Sequence, residues 1–453
     1  MSDFLFNEFD PVSGKEWKQK IQFNLKGADY NNTLVWTSPE GIHVKPVYHR
    51  DDFNSEFSPI PGHPTSWLVT QQVFIDDVSI ANKLALDALE KGAEALWLSA
   101  EKEFDIPQLF ENLSFDSCVL YFNLTFLSKE FLKQLTGFLR KHNAKFQLNI
   151  DIIGNLARSG NWFHNLKTDH EILSALVASQ PSNILSVDVS LYQNAGANVV
   201  QQLAYGLSHA NEYLNHFDGN KTLKIVFYVA LGQHYFFEIA KIRALRKLYS
   251  ALANEYGISV NCHIIARPTL RNKTLYDYNV NMLRTTTEYM SAAIGGADAI
   301  CNLPYDQSYH KSNEFGERIS RNQLLVLKAE SYFDNVSNAA DGTYYIESLT
   351  QELAEKGLKL FKSIEAAGGF LKQLKEGVIQ RKITESAEKE QQLFETGELV
   401  LIGTNKYTNP EDRMKNDLEL YPFVKIKPRK TLLKPIIEKR ISEKLEKERL
   451  EHE

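Results

Sequence analysis

Residues 224–266 read KIVFYVALGQHYFFEIAKIRALRKLYSALANEYGISVNCHIIA. The first eight, Lys224 to Leu231, are apolar almost throughout, the composition of a strand covered on both faces. Phe236, Ile239, Ala240, Leu245 and Leu248 then recur at helical spacing, with Glu238, Lys241 and Arg246 on other faces. From Val260 to Ala266 the strand pattern returns. Strands joined through a helix run parallel, because a parallel pair needs a crossover connection.

Working outward, the same unit repeats. Strand-like runs lie at Trp67 to Ile75, Ala95 to Ser99, Cys118 to Leu124, Phe146 to Ile153 and Ile184 to Tyr192. Ile225 to Leu231, Val260 to Ala266 and Ala299 to Leu303 bring the number to eight. The first helix carries Ile80, Leu84, Leu86 and Leu89 before Lys91-Gly92 stops it. Eight strand–helix units between residues 66 and 333 predict an α/β fold of the (β/α)8 TIM-barrel type, with a doubly wound open sheet as the alternative.

Around the barrel the sequence divides into an N-terminal extended arm (1–65), a C-terminal helical extension (334–425) and a charged tail (426–453). The arm is rich in Phe, Trp and Pro, too scattered to build a core, and must pack on its own barrel or on another subunit. Residues 342–382 read as two helices broken at Gly368-Gly369, and the densely charged tail as a solvated helix or a fraying linker.

The composition, 43% hydrophobic and 24% charged, is that of a globular chain. No apolar run is long enough to span a bilayer, and the N-terminus lacks the basic-then-apolar pattern of a signal peptide, so a cytoplasmic location and no membrane are expected. A net charge of −6 without a basic stripe argues against nucleic acid. Cys118, Cys262 and Cys301 lie in apolar runs without metal-ligand spacing and read as buried small hydrophobes.

Little in the motifs demands chemistry. There is no P-loop, Rossmann fingerprint, CxxC or HExxH, and Gly295-Gly296 reads as a helix cap before the last strand. The 12 histidines suggest no metal set. His234 follows the sixth strand, at the end where barrel enzymes carry their sites, but beside Tyr235 and Phe236 it reads as a packing residue. His263 reads as a wall histidine. Asp151 and Asp188, placed in the fourth and fifth strands, form a candidate acid–base pair against a structural alternative.

Several long segments carry a resemblance. DYNVNMLRTTTEYMSAAIGGADAICNLPYD from Asp277, NEFGERISRNQLLVLKAES from Asn313 and DGTYYIESLTQELAEKGLKLFKSIEAAGGF from Asp341 are similar to the methylmalonyl-CoA mutase family. So are QNAGANVVQQLAYGLSHANEYL from Gln193 and FFEIAKIRALRKLYSAL from Phe236, together with EWKQKIQFNLKGADYNNTLVWTSPEGIHVKPVY from Glu16 in the arm. LIGTNKY from Leu401 resembles that family's post-barrel strand.

The resemblance implies cobalamin-dependent rearrangement of an acyl-CoA by a catalytic chain that carries a DxHxxG cobalamin domain. No DxHxxG occurs here, and KPRKTLLKPIIEKR resembles the linker leading to that domain. Against the family's motifs, Thr70 and Gln72 replace an Arg and a Tyr, Lys224 stands for a substrate-binding Arg, and Thr269 for a His. Ser190 and Leu191 take the place of a Tyr-His pair. Thr269 is a weaker carbonyl donor than imidazole, Gln72 lacks an aromatic plane, and Lys224 lacks the planar fork that fixes a carboxylate.

These losses imply a small, non-catalytic subunit of a heterodimeric mutase, inactive alone, with no catalytic, cofactor or metal residues of its own. Adenosylcobalamin would sit in the partner catalytic (large) subunit. Phe4, Phe6, Phe9 and Trp17 are the expected partner contacts, and a homodimer is possible for the chain in isolation. An active barrel half of a split mutase, a CoA-ester-binding module, and a different enzyme using Asp151, Asp188 or His263 are the alternatives. Leu191, Tyr192 and Tyr228 are candidate plugs of the barrel bore.

Overall fold

The computed structural model describes residues 8–54, 56–180, 182–425 and 428–453. The arm holds α1 (Gly14–Asn24), α2 (Tyr30–Leu34) and a hairpin of β1 (Trp36–Thr37) and β2 (His43–Val44). The barrel follows: β3 (Leu68–Phe74), α3 (Val78–Glu90), β4 (Ala95–Ala100), α4 (Ile106–Leu109), β5 (Val119–Leu124), α5 (Lys129–Lys141), β6 (Lys145–Gln147), α6 (Ile152–Ser159) and α7 (Leu166–Ser179). It continues with β7 (Ser186–Asp188), α8 (Ser190–Asn194), α9 (Val199–His216), β8 (Val226–Leu231), α10 (Tyr235–Tyr256), β9 (His263–Pro268), α11 (Val280–Gly295), β10 (Ala299–Cys301) and α12 (Glu314–Leu325). Behind it stand α13 (Tyr344–Ala366), α14 (Phe370–Lys375), α15 (Val378–Glu395) and, in the tail, α16 (Glu443–Glu451).

All eight barrel strands pair in parallel, in the order β6-β5-β4-β3-β10-β9-β8-β7. The two ends of that order meet: Ile150 bridges Leu185, Ile150 N–H donates to Ile184 O at 2.8 Å, and Ser186 N–H to Ile150 O at 3.2 Å. The ring is therefore closed, which sets aside the open doubly wound sheet. The expected fourth and fifth strands are shortened. Ile152 and Ile153 start α6, and Ser190, Leu191 and Tyr192 lie in α8 rather than in a strand.

Local signals place the helices. Asp77, Ser128, Asp151 and Asn198 each cap a helix with the side chain accepting a backbone N–H. α11 ends at Gly296, whose φ of +87° suits glycine, and where a Cβ would lie 2.4 Å from the His63 ring. Gly295-Gly296 is thus a helix end. Gly368 and Gly369, at φ +106° and +87°, break the post-barrel helices as expected, but three helices begin between residues 342 and 382, where two were predicted.

Most of α10 is buried, so Glu238, Lys241, Arg243 and Arg246 do not face solvent. Arg243, fully buried, pairs with Asp341 and, at 2.5 Å, with Glu347; Arg246 reaches Asp298 at 2.6 Å and the carbonyls of Gly62, Cys262 and Gly296. Lys241 pairs with Glu238 and donates to Ala230 O at 2.7 Å. A barrel helix overlaid by the arm and α13 must pair every charge it buries.

Two further sequence expectations are overturned outside the barrel. LIGTNKY forms turns with one isolated bridge, Ile402 to Lys406, not a strand. The tail ends in a helix, α16, but is docked rather than wholly solvated or frayed: Ile436, Arg440, Ile441, Ser442 and Glu446 are buried, while Lys444, Glu448 and Glu451 face outward. Its charge alternation conceals that Glu446 accepts from Leu275 N–H at 3.0 Å and pairs with Arg440 at 2.6 Å. No described helix is long and apolar enough to cross a membrane.

Candidate functional site

In a barrel of this type the C-terminal ends of the strands carry the site and the bore leads to it. Side-chain alternation sends Thr70 and Gln72 of β3, Trp97 of β4, Tyr121 of β5, Tyr228 of β8 and Arg267 of β9 inward. Ala95, Trp97, Tyr121, Val226, Ile265, Ala299 and Cys301 form an apolar cluster of their own, with Tyr228 packed against it.

Aromatic rings fill the middle of the bore. Trp97 and Tyr228 stack with centroids 4.6 Å apart, and Tyr121 lies 6.3 Å from Trp97. Tyr121 Oη and His263 Nε2 hydrogen-bond at 2.9 Å, closing the lower bore. Burial raises the phenols of Tyr121 and Tyr228 well above their ordinary range and pushes the Cys301 thiol up to about 12. These groups stay neutral. Of the three residues expected to plug the bore, only Tyr228 does so; Leu191 and Tyr192 sit in the main core, Tyr192 against Tyr205 and Phe370.

At the mouth, the tail runs across α6, α8 and the loop that follows β9. Ile436 N–H donates to Ala157 O at 2.8 Å, Lys439 N–H to Asn194 O at 3.0 Å, and Ile441 N–H to Arg271 O at 2.9 Å. Asn194 joins the two layers. Its Oδ1 accepts from Thr269 Oγ1 at 2.7 Å, and its Nδ2 donates to Glu438 at 2.9 Å. Arg158 reaches Asp188 at 2.6 Å on one side and Glu438 at 3.5 Å on the other.

The residues singled out from sequence separate into groups. Thr70 is fully buried in the bore wall, its hydroxyl directed to Leu68 O, and Gln72 follows it inward, its N–H bound to Asn302 Oδ1 at 2.7 Å. Thr269 is buried at the mouth. Lys224 is not brought near them: it is exposed and precedes β8, at the opposite end of the barrel. Phe9 and Trp17 are exposed on the arm, 68% and 47% respectively, while Phe4 and Phe6 lie outside the described residues.

Asp151 and Asp188 are joined, but through a backbone: Asp188 N–H donates to Asp151 Oδ2 at 2.9 Å. Asp151 caps α6 and also accepts from Tyr213 Oη at 2.7 Å, with His209 Nε2 2.9 Å from the same carboxylate. Burial alone would raise its pKa, yet the His209 imidazole and these hydrogen bonds hold it below the ordinary carboxylate value. A carboxylate so held is a poor proton acceptor, so the acid–base pair gives way to a structural network. His234 stacks on Trp36 at 5.2 Å, and burial lowers its pKa, as it does that of His263. All three cysteines are buried and free. Among the described residues no group of three or more His, Cys, Asp or Glu is arranged to hold a metal.

Sequence reasoning passed over Trp97 and Tyr121. The alternation in ALWLSA and VLYFNL was the available signal, and it required knowing which parity faces the axis.

What fold and site define is a closed (β/α)8 barrel whose bore is occupied by its own side chains. The chain belongs to the methylmalonyl-CoA mutase family: residues 105–450 match the family described as Methylmalonyl-CoA mutase. It is 34% identical over 442 residues to the methylmalonyl-CoA mutase small subunit of Porphyromonas gingivalis, covering 89% of this chain and 71% of that one. It is 28% identical to the small subunit from Streptomyces virginiae, over 83% of this chain and 67% of that protein. To the methylmalonyl-CoA mutase of Cereibacter sphaeroides it is 27% identical over 86% of its length, and it spans 64% of that relative.

Proposed function

We propose that this chain is a non-catalytic structural subunit that pairs with a catalytic, adenosylcobalamin-carrying large subunit in the cytoplasm, as a methylmalonyl-CoA mutase heterodimer. The observation that carries the proposal is the Trp97–Tyr228 stack across the bore, with Tyr121 and His263 bonded below it. A thread of acyl-CoA along the axis would have to displace three aromatic rings packed against one another.

The residues at the mouth do not fit a cobalamin seat either. The Thr269 hydroxyl is bonded to Asn194, and the tail crosses α8 and the loop after β9 at the same place. No catalytic step is therefore assigned to this chain. Its contribution is a rigid barrel and an arm whose first helix, α1, buries none of its residues while exposing Trp17 and Phe23. Aromatic side chains left exposed on a helix with no core of its own suit a subunit contact.

The test is mutase activity with methylmalonyl-CoA and adenosylcobalamin, for this chain alone, the large subunit alone, and the two mixed. Activity that requires the large subunit and rises or becomes more stable on mixing is expected. Turnover by this chain alone would overturn the proposal.

A further inference from the structure

On the outer surface, away from the bore, α7 and the end of α9 bring two imidazoles together. His170 and His216 have ring centroids 4.9 Å apart at an interplanar angle of 67°. They line a surface depression with Leu166, Lys167, Glu171 and Ser174. Each ring has one nitrogen fixed by a neighbour. His170 Nδ1 lies 2.7 Å from Leu166 O, a carbonyl that can only accept, so this nitrogen carries the proton and Nε2 keeps its lone pair. His216 Nε2 bonds Ser174 Oγ at 3.2 Å, leaving Nδ1 as the second nitrogen.

We propose that His170 and His216 form a two-histidine binding site for a divalent transition metal of the zinc type. Two imidazoles on one tetrahedral ion, with metal–nitrogen bonds of about 2.1 Å, have ring centroids about 5 Å apart, which is the separation found here. The Leu166 carbonyl on His170 corresponds to the outer-shell hydrogen bond that sets tautomer and orientation in metal sites, and the Ser174 hydroxyl, which can accept from His216 Nε2, orients the second ring. Trp162 and Phe217 brace the rings, at 5.5 Å from His170 and 4.6 Å from His216. Lys167 and Glu171 are the charged groups facing the depression, and they lie 3.8 Å from each other, so the cation is offset. Water completes the coordination.

The test is a zinc titration of the full chain at pH 7.5 by calorimetry, with His170→Ala and His216→Ala alongside. One equivalent is expected to bind the wild type, at least tenfold more weakly in either variant, and to be lost on acidification below about pH 6 as the imidazoles protonate. Both positions are at the surface, and the metal-free unfolding temperatures confirm that the variants fold. Absence of binding, or binding that either substitution leaves unchanged, overturns the proposal.

Discussion

Trp97 on β4 and Tyr228 on β8 stack across the barrel axis, 4.6 Å apart with planes 23° from parallel. Trp97→Ala removes the largest ring of this packing and leaves a cavity the parallel strands cannot collapse into. A loss of about 3–5 kcal/mol is expected by urea unfolding, and a smaller one for Trp97→Phe. The intact chain is also expected to show no saturable acyl-CoA binding in equilibrium dialysis; micromolar uptake would mean that the plug moves aside.

Asp151→Asn tests the network behind the bore. With its folded-state pKa depressed below the ordinary 3.8, the carboxylate contributes stability that is fully present above that value. The contribution is lost as the pH falls through the lower folded value. The variant should therefore be less stable by about 3 kcal/mol at pH 7, and the gap from wild type should close under strong acid. A gap that persists unchanged to low pH would remove the electrostatic explanation.

The buried pair Lys273–Glu288, at 2.8 Å, gives a contrast between single and double substitutions. Burial, opposed by Glu288, lowers Lys273 to about 8. Lys273→Met alone strands a buried carboxylate and should cost about 3–5 kcal/mol, whereas Lys273→Met with Glu288→Leu should recover most of it. Chemical denaturation of the three proteins decides.

Glu446 ties the tail to the mouth through Leu275 N–H, Ser442 Oγ at 2.8 Å and Arg440. Glu446→Ala is expected to raise amide exchange across residues 428–453 without unfolding the barrel, because it leaves Arg440 buried and unpaired at one end of the strap. Unaltered exchange there would mean that the backbone rungs at Ile436, Lys439 and Ile441 suffice.

Trp17 is 47% exposed, and none of the residues of α1 is buried. Trp17→Ala should change the stability of the isolated chain by no more than about 0.5 kcal/mol. It should weaken association with the large subunit at least tenfold, read by analytical ultracentrifugation, if the arm is the contact.

What the sequence determined by itself was the repeat. Each strand–helix unit is local, and the pattern of apolar runs such as KIVFYVAL followed by helical spacing is written in neighbouring residues. The family followed from the same order of long segments. What only the tertiary structure decided depends on residues far apart in the chain. The inward parity of Trp97 and Tyr121 depends on ring closure between Ile150 and Leu185, and the burial of α10's charges on α13. The docking of the tail depends on Glu446 finding Leu275 across 171 residues. A charge in a sequence window looks solvated because its partner is not in the window; only the closed barrel brings the partner within hydrogen-bond reach and removes the water.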